Sequence, residues 1–254
     1  VKPYYEDDAV TIYHGEALAV LSAMPASSVD VLLTDPPYSS GGMFRGDRVK
    51  QPDEKYRGWS QCDVGSRKPT AEYGSFGGDT RDQRTWIRWC AAWGVESLRT
   101  VRVGGSCFLF TDWRQLPATT DLIQYSGWTW QGLVVWDKGI GRPIAGRFRN
   151  HLEYIAWGSH GAHAPSGLYP SALISVATVH SSEREHVTQK PVQLLRALLA
   201  VLPDHPLTVL DPFMGSGSTL RAAKDCGHRA IGIEVDERYC EIAANRMSQE
   251  VLAL

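Results

Sequence analysis

The sequence predicts an α/β fold built on a mostly parallel, doubly wound sheet with helices on both faces. Three short apolar runs carry that reading, and each leads into an acid: Val29 to Thr34 before Asp35, Leu207 to Leu210 before Asp211, and Arg229 to Ile233 before Glu234. Runs this short, rich in β-branched residues and bounded by Pro and Gly, suit strands buried on both faces, as in parallel sheets. Such sheets place their chemistry beyond the carboxyl ends of their strands. All three acids fall there.

The elements follow in order. Thr11-Ile12-Tyr13 reads as a strand, and Glu16 to Met24 as a helix with Leu18 and Leu21 on its apolar side, closed by Pro25-Ala26-Ser27-Ser28. Val29 to Thr34 is the next strand. Residues Arg84 to Thr100 form a helix whose Trp86, Trp89 and Trp93 recur at helical spacing, which assigns them to core packing. Gly104-Gly105 reads as a turn before a buried strand ending at Phe110. Leu133 to Trp136 and His151 to Trp157 form an antiparallel pair around a Gly/Pro-bearing segment. The strand of Leu207 to Leu210 runs into DPFMGSGST and an amphipathic helix, and Arg229 to Glu234 is the final strand. No repeats or low-complexity tracts interrupt this order.

At 254 residues the chain is long enough to bury a large core, and residues 1–254 read as a single domain. No stretch approaches the roughly 20 apolar residues of a membrane span. The opening Val1 to Asp8 is too polar for a signal peptide, so a cytoplasmic location is expected. Five cysteines, odd in number and without a CxxC pair, argue against a disulfide framework or a zinc site. His160, His163, His180 and His186 are too dispersed for a metal site and read as polar surface. No metal is expected.

Asp35-Pro36-Pro37-Tyr38 is the first chemical constellation. Two prolines fix φ and remove amide donors, so the loop presents acceptors held in place before a substrate arrives. Asp35 can accept one hydrogen of an exocyclic amine, the Pro36 carbonyl the other, and Tyr38 offers a face for stacking. The second constellation is Asp211-Pro212-Phe213-Met214-Gly215-Ser216-Gly217. Gly215 and Gly217 permit close backbone approach, and the following helix presents free amides. Glu234 stands roughly 20 residues beyond the glycines, the spacing at which a carboxylate meets ribose hydroxyls. Leu220 replaces the third glycine of the dinucleotide fingerprint, and Asp211 repels phosphate and favours a cation. The loop therefore suits a nucleoside without phosphates.

Together these residues resemble the S-adenosylmethionine-dependent DNA amino-methyltransferases that act on adenine N6 and cytosine N4, in the permuted, β-type arrangement. DPPY comes first, then Thr188-Gln189-Lys190-Pro191, then DPFMGSGST, then GIEVDERYCEIAANR at residues 232–246. The resemblance implies a Rossmann-like, mostly parallel seven-stranded sheet in circularly permuted order, with the antiparallel pair as an edge hairpin. It implies S-adenosylmethionine as cofactor, with Glu234 on the ribose, Phe213 packing nearby, and Gly215, Ser216 and Gly217 forming a backbone bed. Thr188 and Lys190 would reach the methionine carboxylate, and Asp211 its amino end. Glu16 sits where relatives often carry aspartate and is left out of the site. DPPY is commoner among the adenine enzymes, whereas the cytosine enzymes usually carry serine in place of the aspartate.

Double-stranded DNA is the expected partner, and relatives often form homodimers. A net charge of −2 is unusual for a DNA-binding chain. One local stretch is nonetheless basic: Lys138, Arg142, Arg147 and Arg149 follow Asp137 with no acid among them, and they are assigned to DNA phosphates. Residues 39–83 form an insertion after the catalytic loop with mixed basic and aromatic character, expected to contact DNA. Residues 158–187 form a short region expected to share target recognition. The leading functional reading is an adenine-N6 DNA methyltransferase. The alternatives are a cytosine-N4 enzyme of the same architecture, or a non-catalytic DNA-binding subunit that keeps the fold.

Overall fold

A computed structural model describes residues 1–38, 83–141, 143, 145–163, 166–179 and 189–249. The insertion at 39–82, Arg142, His180, His186 and Thr188 lie outside these described residues. The strands are β1 (Tyr5–Glu6), β2 (Val10–His14), β3 (Val29–Thr34), β4 (Val101–Thr111), β5 (Thr129–Asp137), β6 (Leu152–Ser159), β7 (Leu173–Ser175), β8 (Thr208–Asp211) and β9 (Arg229–Glu234). The described helices are α1 (Ala17–Ala23), α2 (Gln83–Thr100), α3 (Leu116–Tyr125), α4 (Val192–Leu199), α5 (Ser218–Asp225) and α6 (Glu237–Ser248).

The strands form one sheet in the order β1-β2-β9-β8-β3-β4-β6-β5-β7. Strands β2, β9, β8, β3 and β4 run parallel, and β6 is antiparallel to both β4 and β5. The seven strands expected from the sequence are therefore present as β2, β9, β8, β3, β4, β6 and β5. Two short strands add to their edges: β1 pairs with β2, and β7 covers β5 through Val135↔Leu173. The antiparallel pair thus lies one strand in from the rim, and β7 masks a ladder that β5 would otherwise expose.

Alternation along each strand separates the two faces. Val31, Leu33, Phe108 and Phe110 join the cluster under α4, α5 and α6, while Leu32, Cys107 and Leu109 join the cluster under α1, α2 and α3. With side chains pointing alternately up and down, both faces of the central strands are buried, which is why these runs read as continuously apolar. Local caps set the helix starts. Glu16 accepts from the Ala19 amide at 2.9 Å and Asp236 from the Arg238 amide at 3.0 Å, opening α1 and α6.

Gly104-Gly105 lies inside β4 and not ahead of it. The register with β3 slips here, from Val29↔Val101 to Val31↔Ser106. Gly104 takes a φ of 85°, and Gly105 packs so close to the Asp30 carbonyl and Val101 that a Cβ would not fit. The backbone still bonds across to β6, Gly104 donating to the His160 carbonyl at 2.8 Å and His160 to that of Gly105 at 2.9 Å. The glycines permit a bulge, not a turn, so the strand continues through them.

Candidate active site

The carboxyl ends of β2, β9, β8, β3 and β4 share one rim of the sheet. The start of β6 lies at the same rim, because Thr111 at the end of β4 faces Tyr154. Strand order reverses between β8 and β3: β8 leads on to β9 on one side, and β3 leads on to β4 on the other. Crevices at such reversals hold ligands in open α/β sheets. Here the crevice brings the two acidic loops together, and the buried Thr34 hydroxyl donates to Asp211 Oδ1 at 2.7 Å.

The loop after β3 is braced from α2. Trp86 is fully buried, and its indole N–H donates to the Pro37 carbonyl at 2.8 Å. Trp93 is buried as the helical spacing predicts, and it contacts Phe213 with ring centroids 5.1 Å apart. Trp89 lies 5.6 Å from the same ring. Tyr38 and Phe213 are half-buried against this cluster. The tryptophans therefore pack the core and also hold the two loops that the sequence marks as chemical.

Lys190, just before α4, donates to Asp35 Oδ2, and its ammonium stands 3.6 Å from Glu153 Oε2 on β6. Asp35 Oδ1 is buried with no hydrogen-bond partner among the described residues. Burial pushes the Asp35 carboxyl upward, more than the neighbouring Lys190 brings it down. Burial depresses Lys190, but Asp35 and then Glu153 outweigh it, so its ammonium is held above the ordinary lysine range. Glu153 is raised by burial and lowered further by Lys190 and Lys138, ending below the usual glutamate value.

The loop after β8 is shaped by Gly215 and Gly217, with φ of 51° and 78°. A Cβ on Gly217 would come within 2.9 Å of the Ala243 Cβ, so this glycine also permits α5 to pack on α6. Glu234 fixes the loop: Oε2 accepts from the Gly215 amide at 3.0 Å, and Oε1 from the Val235 and Asp236 amides at 2.9 Å each. Burial raises the Glu234 carboxyl despite those bonds. Asp211 is pushed up to about 6 by burial, opposed by bonds from Thr219, Thr34 and the Phe213 amide. Ser216 is buried, and its carbonyl accepts from Arg246 at 3.1 Å.

The sequence profile of the family described as DNA methylase matches residues 29–245. The chain belongs to this family of DNA methylases. The methylase is an S-adenosylmethionine-dependent DNA amino-methyltransferase of the N6-adenine and N4-cytosine group. The Type II methyltransferase M.ScaI of Streptomyces caespitosus is 24% identical over 294 residues, covering 100% of the methylase and 86% of that relative. The Type II methyltransferase M2.DpnII of Streptococcus pneumoniae is 25% identical over 270 residues, covering 98% and 93%. The PvuII DNA methyltransferase, a cytosine-N4-specific enzyme, matches with a TM-score of 0.72 at 16% identity, over 99% of the methylase and 91% of that chain. The M1.HpyAVI–SAM complex gives 0.64 at 20% identity, over 94% and 100%. At these identities the two structures speak for the fold.

The residues present fit S-adenosylmethionine. Two buried acids, an aromatic ring and a glycine-shaped backbone line the Asp211 to Gly217 loop, which itself contains no basic residue. That set suits a cationic nucleoside and disfavours a phosphate.

One of the residues assigned to DNA phosphates is placed differently from its assigned role. Lys138 turns toward Glu153, pairing with Oε1 at 3.1 Å, and its side chain is only 19% exposed. It is thereby withdrawn from the exposed basic surface on which the sequence put it. Arg147 and Arg149 remain exposed on the loop between β5 and β6, around the fully exposed Phe148. Trp86 as brace and Glu153 as partner of Lys190 were missed at the sequence level. An indole at helical spacing reads as core, and a lone glutamate in an apolar strand has no motif around it. A charge inside such a strand was the available signal.

Proposed function

We propose that this methylase is a site-specific enzyme that transfers a methyl group from S-adenosylmethionine to N6 of an adenine extruded from duplex DNA. The observation that carries the reading is Asp35: one carboxylate oxygen is held by Lys190, and the other is a buried acceptor with no partner among the described residues, with the Pro36 carbonyl next in the chain as the second acceptor. An exocyclic amine has two hydrogens, and these two acceptors take one each. Drawing on both hydrogens favours the pyramidal amine, whose lone pair is the nucleophile, and this matters most in the transition state. When bound, S-adenosylmethionine supplies a methyl group activated by a sulfonium. Tyr38 supplies the stacking face for the extruded base, which cannot be reached inside a duplex.

On the cofactor side, Glu234 takes the ribose hydroxyls, Phe213 packs nearby, and Gly215, Ser216 and Gly217 form the bed. Asp211 faces the amino end of the methionine portion and Thr188 its carboxylate, whereas the Lys190 ammonium, assigned to that carboxylate from the sequence, is turned to Asp35 and Glu153. One pH dependence follows. Asp211 is charged above about 6 and neutral below it, and only the charged form attracts an ammonium group. Cofactor affinity should therefore fall as pH drops through about 6, and calorimetry on Asp211→Asn should show that limb abolished. A limb that persists in the variant assigns it to another group.

Duplex DNA is held by the exposed loop between β5 and β6. Replacing Arg149 with alanine should make the slope of log affinity against log salt shallower by about 0.9, the value for one lost phosphate contact. Lys138→Gln should leave that slope unchanged, since its charge is already paired with Glu153. If Lys138 moves the slope and Arg149 does not, the loop meets DNA by its opposite side.

The decisive test of the reaction is strand-resolved calling of modified bases in DNA treated with the protein and S-adenosylmethionine. The proposal expects N6-methyladenine within one sequence context. N4-methylcytosine would assign the cytosine reading, and cofactor binding with no modified base would make the chain a non-catalytic subunit.

A further inference from the structure

Four charged side chains from four places in the chain meet beside the catalytic loop. Lys138 follows β5, Glu153 belongs to β6, Lys190 precedes α4 and Asp35 follows β3. Their signs alternate. Lys138 Nζ lies 3.1 Å from Glu153 Oε1, Lys190 Nζ lies 3.6 Å from Glu153 Oε2, and Lys190 pairs in turn with Asp35 Oδ2. The Phe110 ring lies 5.1 Å from the Lys190 ammonium, and the Trp136 ring 6.0 Å from that of Lys138. Lys190 is almost wholly buried, and a buried cation stays charged only where acids surround it.

We propose that Glu153 is a positioning residue for methyl transfer, holding the Lys190 ammonium so that it fixes Asp35 through Oδ2 and leaves Oδ1 for the target amine. This rests on the reading of Asp35 given above and extends it to a residue that no motif marks. The electrostatics explain why a second acid is present. A single lysine beside a single aspartate cancels its charge and weakens the pull of that carboxylate on the amine hydrogen. Glu153 divides the lysine's charge between two acids, so Asp35 keeps part of its field at the amine. Lys138 then balances Glu153, and the four charges sum to zero within a buried region. The other ionisable groups facing this chain are Asp211, which acts on Asp35 from β8, and Asp112, which faces Glu153 from the end of β4. Neither contributes a cation.

The test uses the full chain, S-adenosylmethionine and duplex DNA containing the mapped target. Glu153→Gln should lower the single-turnover rate roughly 10- to 100-fold, the range measured for groups that orient metal ligands, the nearest physical analogue. Cofactor affinity should stay within about threefold of the parent, since Glu153 lies on β6 and pairs with Lys138 and Lys190, not with the loop after β8. The acid limb of the rate profile should move to lower pH, because the repulsion on Asp35 is gone and Lys190 is no longer shared. Lys190→Met should move the same limb to higher pH. Glu153→Asp keeps the charge, and should recover most of the rate with the limb unmoved. It also covers the case in which the glutamine variant does not fold.

A Glu153→Gln enzyme with the parent rate would overturn the proposal. So would a slow one with an unmoved acid limb, which marks a merely structural side chain, or a Glu153→Asp enzyme as slow as Glu153→Gln. Failure of the underlying reading looks different: the parent protein itself would then leave adenine unmodified.

Discussion

Asp35→Ala is expected to lose methyl transfer by roughly 10²- to 10³-fold, the scale of removing one preorganised partner of a transition state. Its affinity for S-adenosylmethionine should change by no more than a few-fold. The separation follows from geometry. Asp35 opens the loop after β3, whereas the loop after β8 is fixed by Glu234 through three backbone amides. The two loops touch through Thr34 and Asp211, and that bond uses the Thr34 hydroxyl and not the Asp35 carboxylate. Single-turnover rates against calorimetric cofactor binding make the comparison. An alanine variant that still methylates would remove Asp35 from the chemistry. One that loses cofactor binding as well would show that the crevice had collapsed.

Glu234→Ala should weaken S-adenosylmethionine binding by roughly 1.5–3 kcal/mol, the range for a hydrogen bond to a charged group, which is about 10- to 100-fold in affinity. Two causes act together. On the proposed reading the ribose loses its acceptor, and the amides of Gly215, Val235 and Asp236 lose theirs. The second cause predicts a lower melting temperature in the absence of cofactor. Glu234→Gln keeps one carbonyl acceptor and should fall between the parent and the alanine variant on both measures. Unchanged affinity in the alanine variant would move the ribose contact to Asp236, whose carboxylate already caps α6.

The elements that sequence reading found most cleanly are those whose identity is decided locally. Strand β3 is delimited at Val29 and Thr34 by turn residues on one side and prolines on the other, and β9 at Arg229 and Glu234 by Gly227 and the capping Asp236. The misread of Gly104-Gly105 has the opposite origin. A glycine pair in isolation signals a turn, and only the pairing of β4 with β3 and β6 makes it a bulge. The site divides in the same way. DPPY and the glycine loop are contiguous, so their chemistry is legible in a single line of residues. The cluster around Asp35 is not contiguous: Lys190 stands 155 residues away along the chain and Glu153 lies between the two, so they meet only once β6 and the start of α4 have packed near the end of β3. Lys138 stands in a basic run and reads as part of it, although the pairing of β5 with β6 sets Glu153 within its reach.

The permuted strand order also constrains how this molecule is made. Strands β8 and β9 come last in the described order, yet they fill the gap between β2 and β3 in the middle of the sheet. As the chain emerges from the ribosome, β2 has only the short β1 beside it, and its parallel partner is far away; His14 and the Val235 carbonyl it meets are 221 residues apart. Until that partner arrives, β2 and one flank of β3 present open ladders, the surfaces on which strands from other chains add. Contacts of such long sequence separation form slowly and leave partly folded chains exposed to aggregation. The cofactor half is therefore the part that closes the molecule, and refolding should be slow until residues 208–234 are in place. A chain cut just before β8 should yield two sheet fragments that do not assemble.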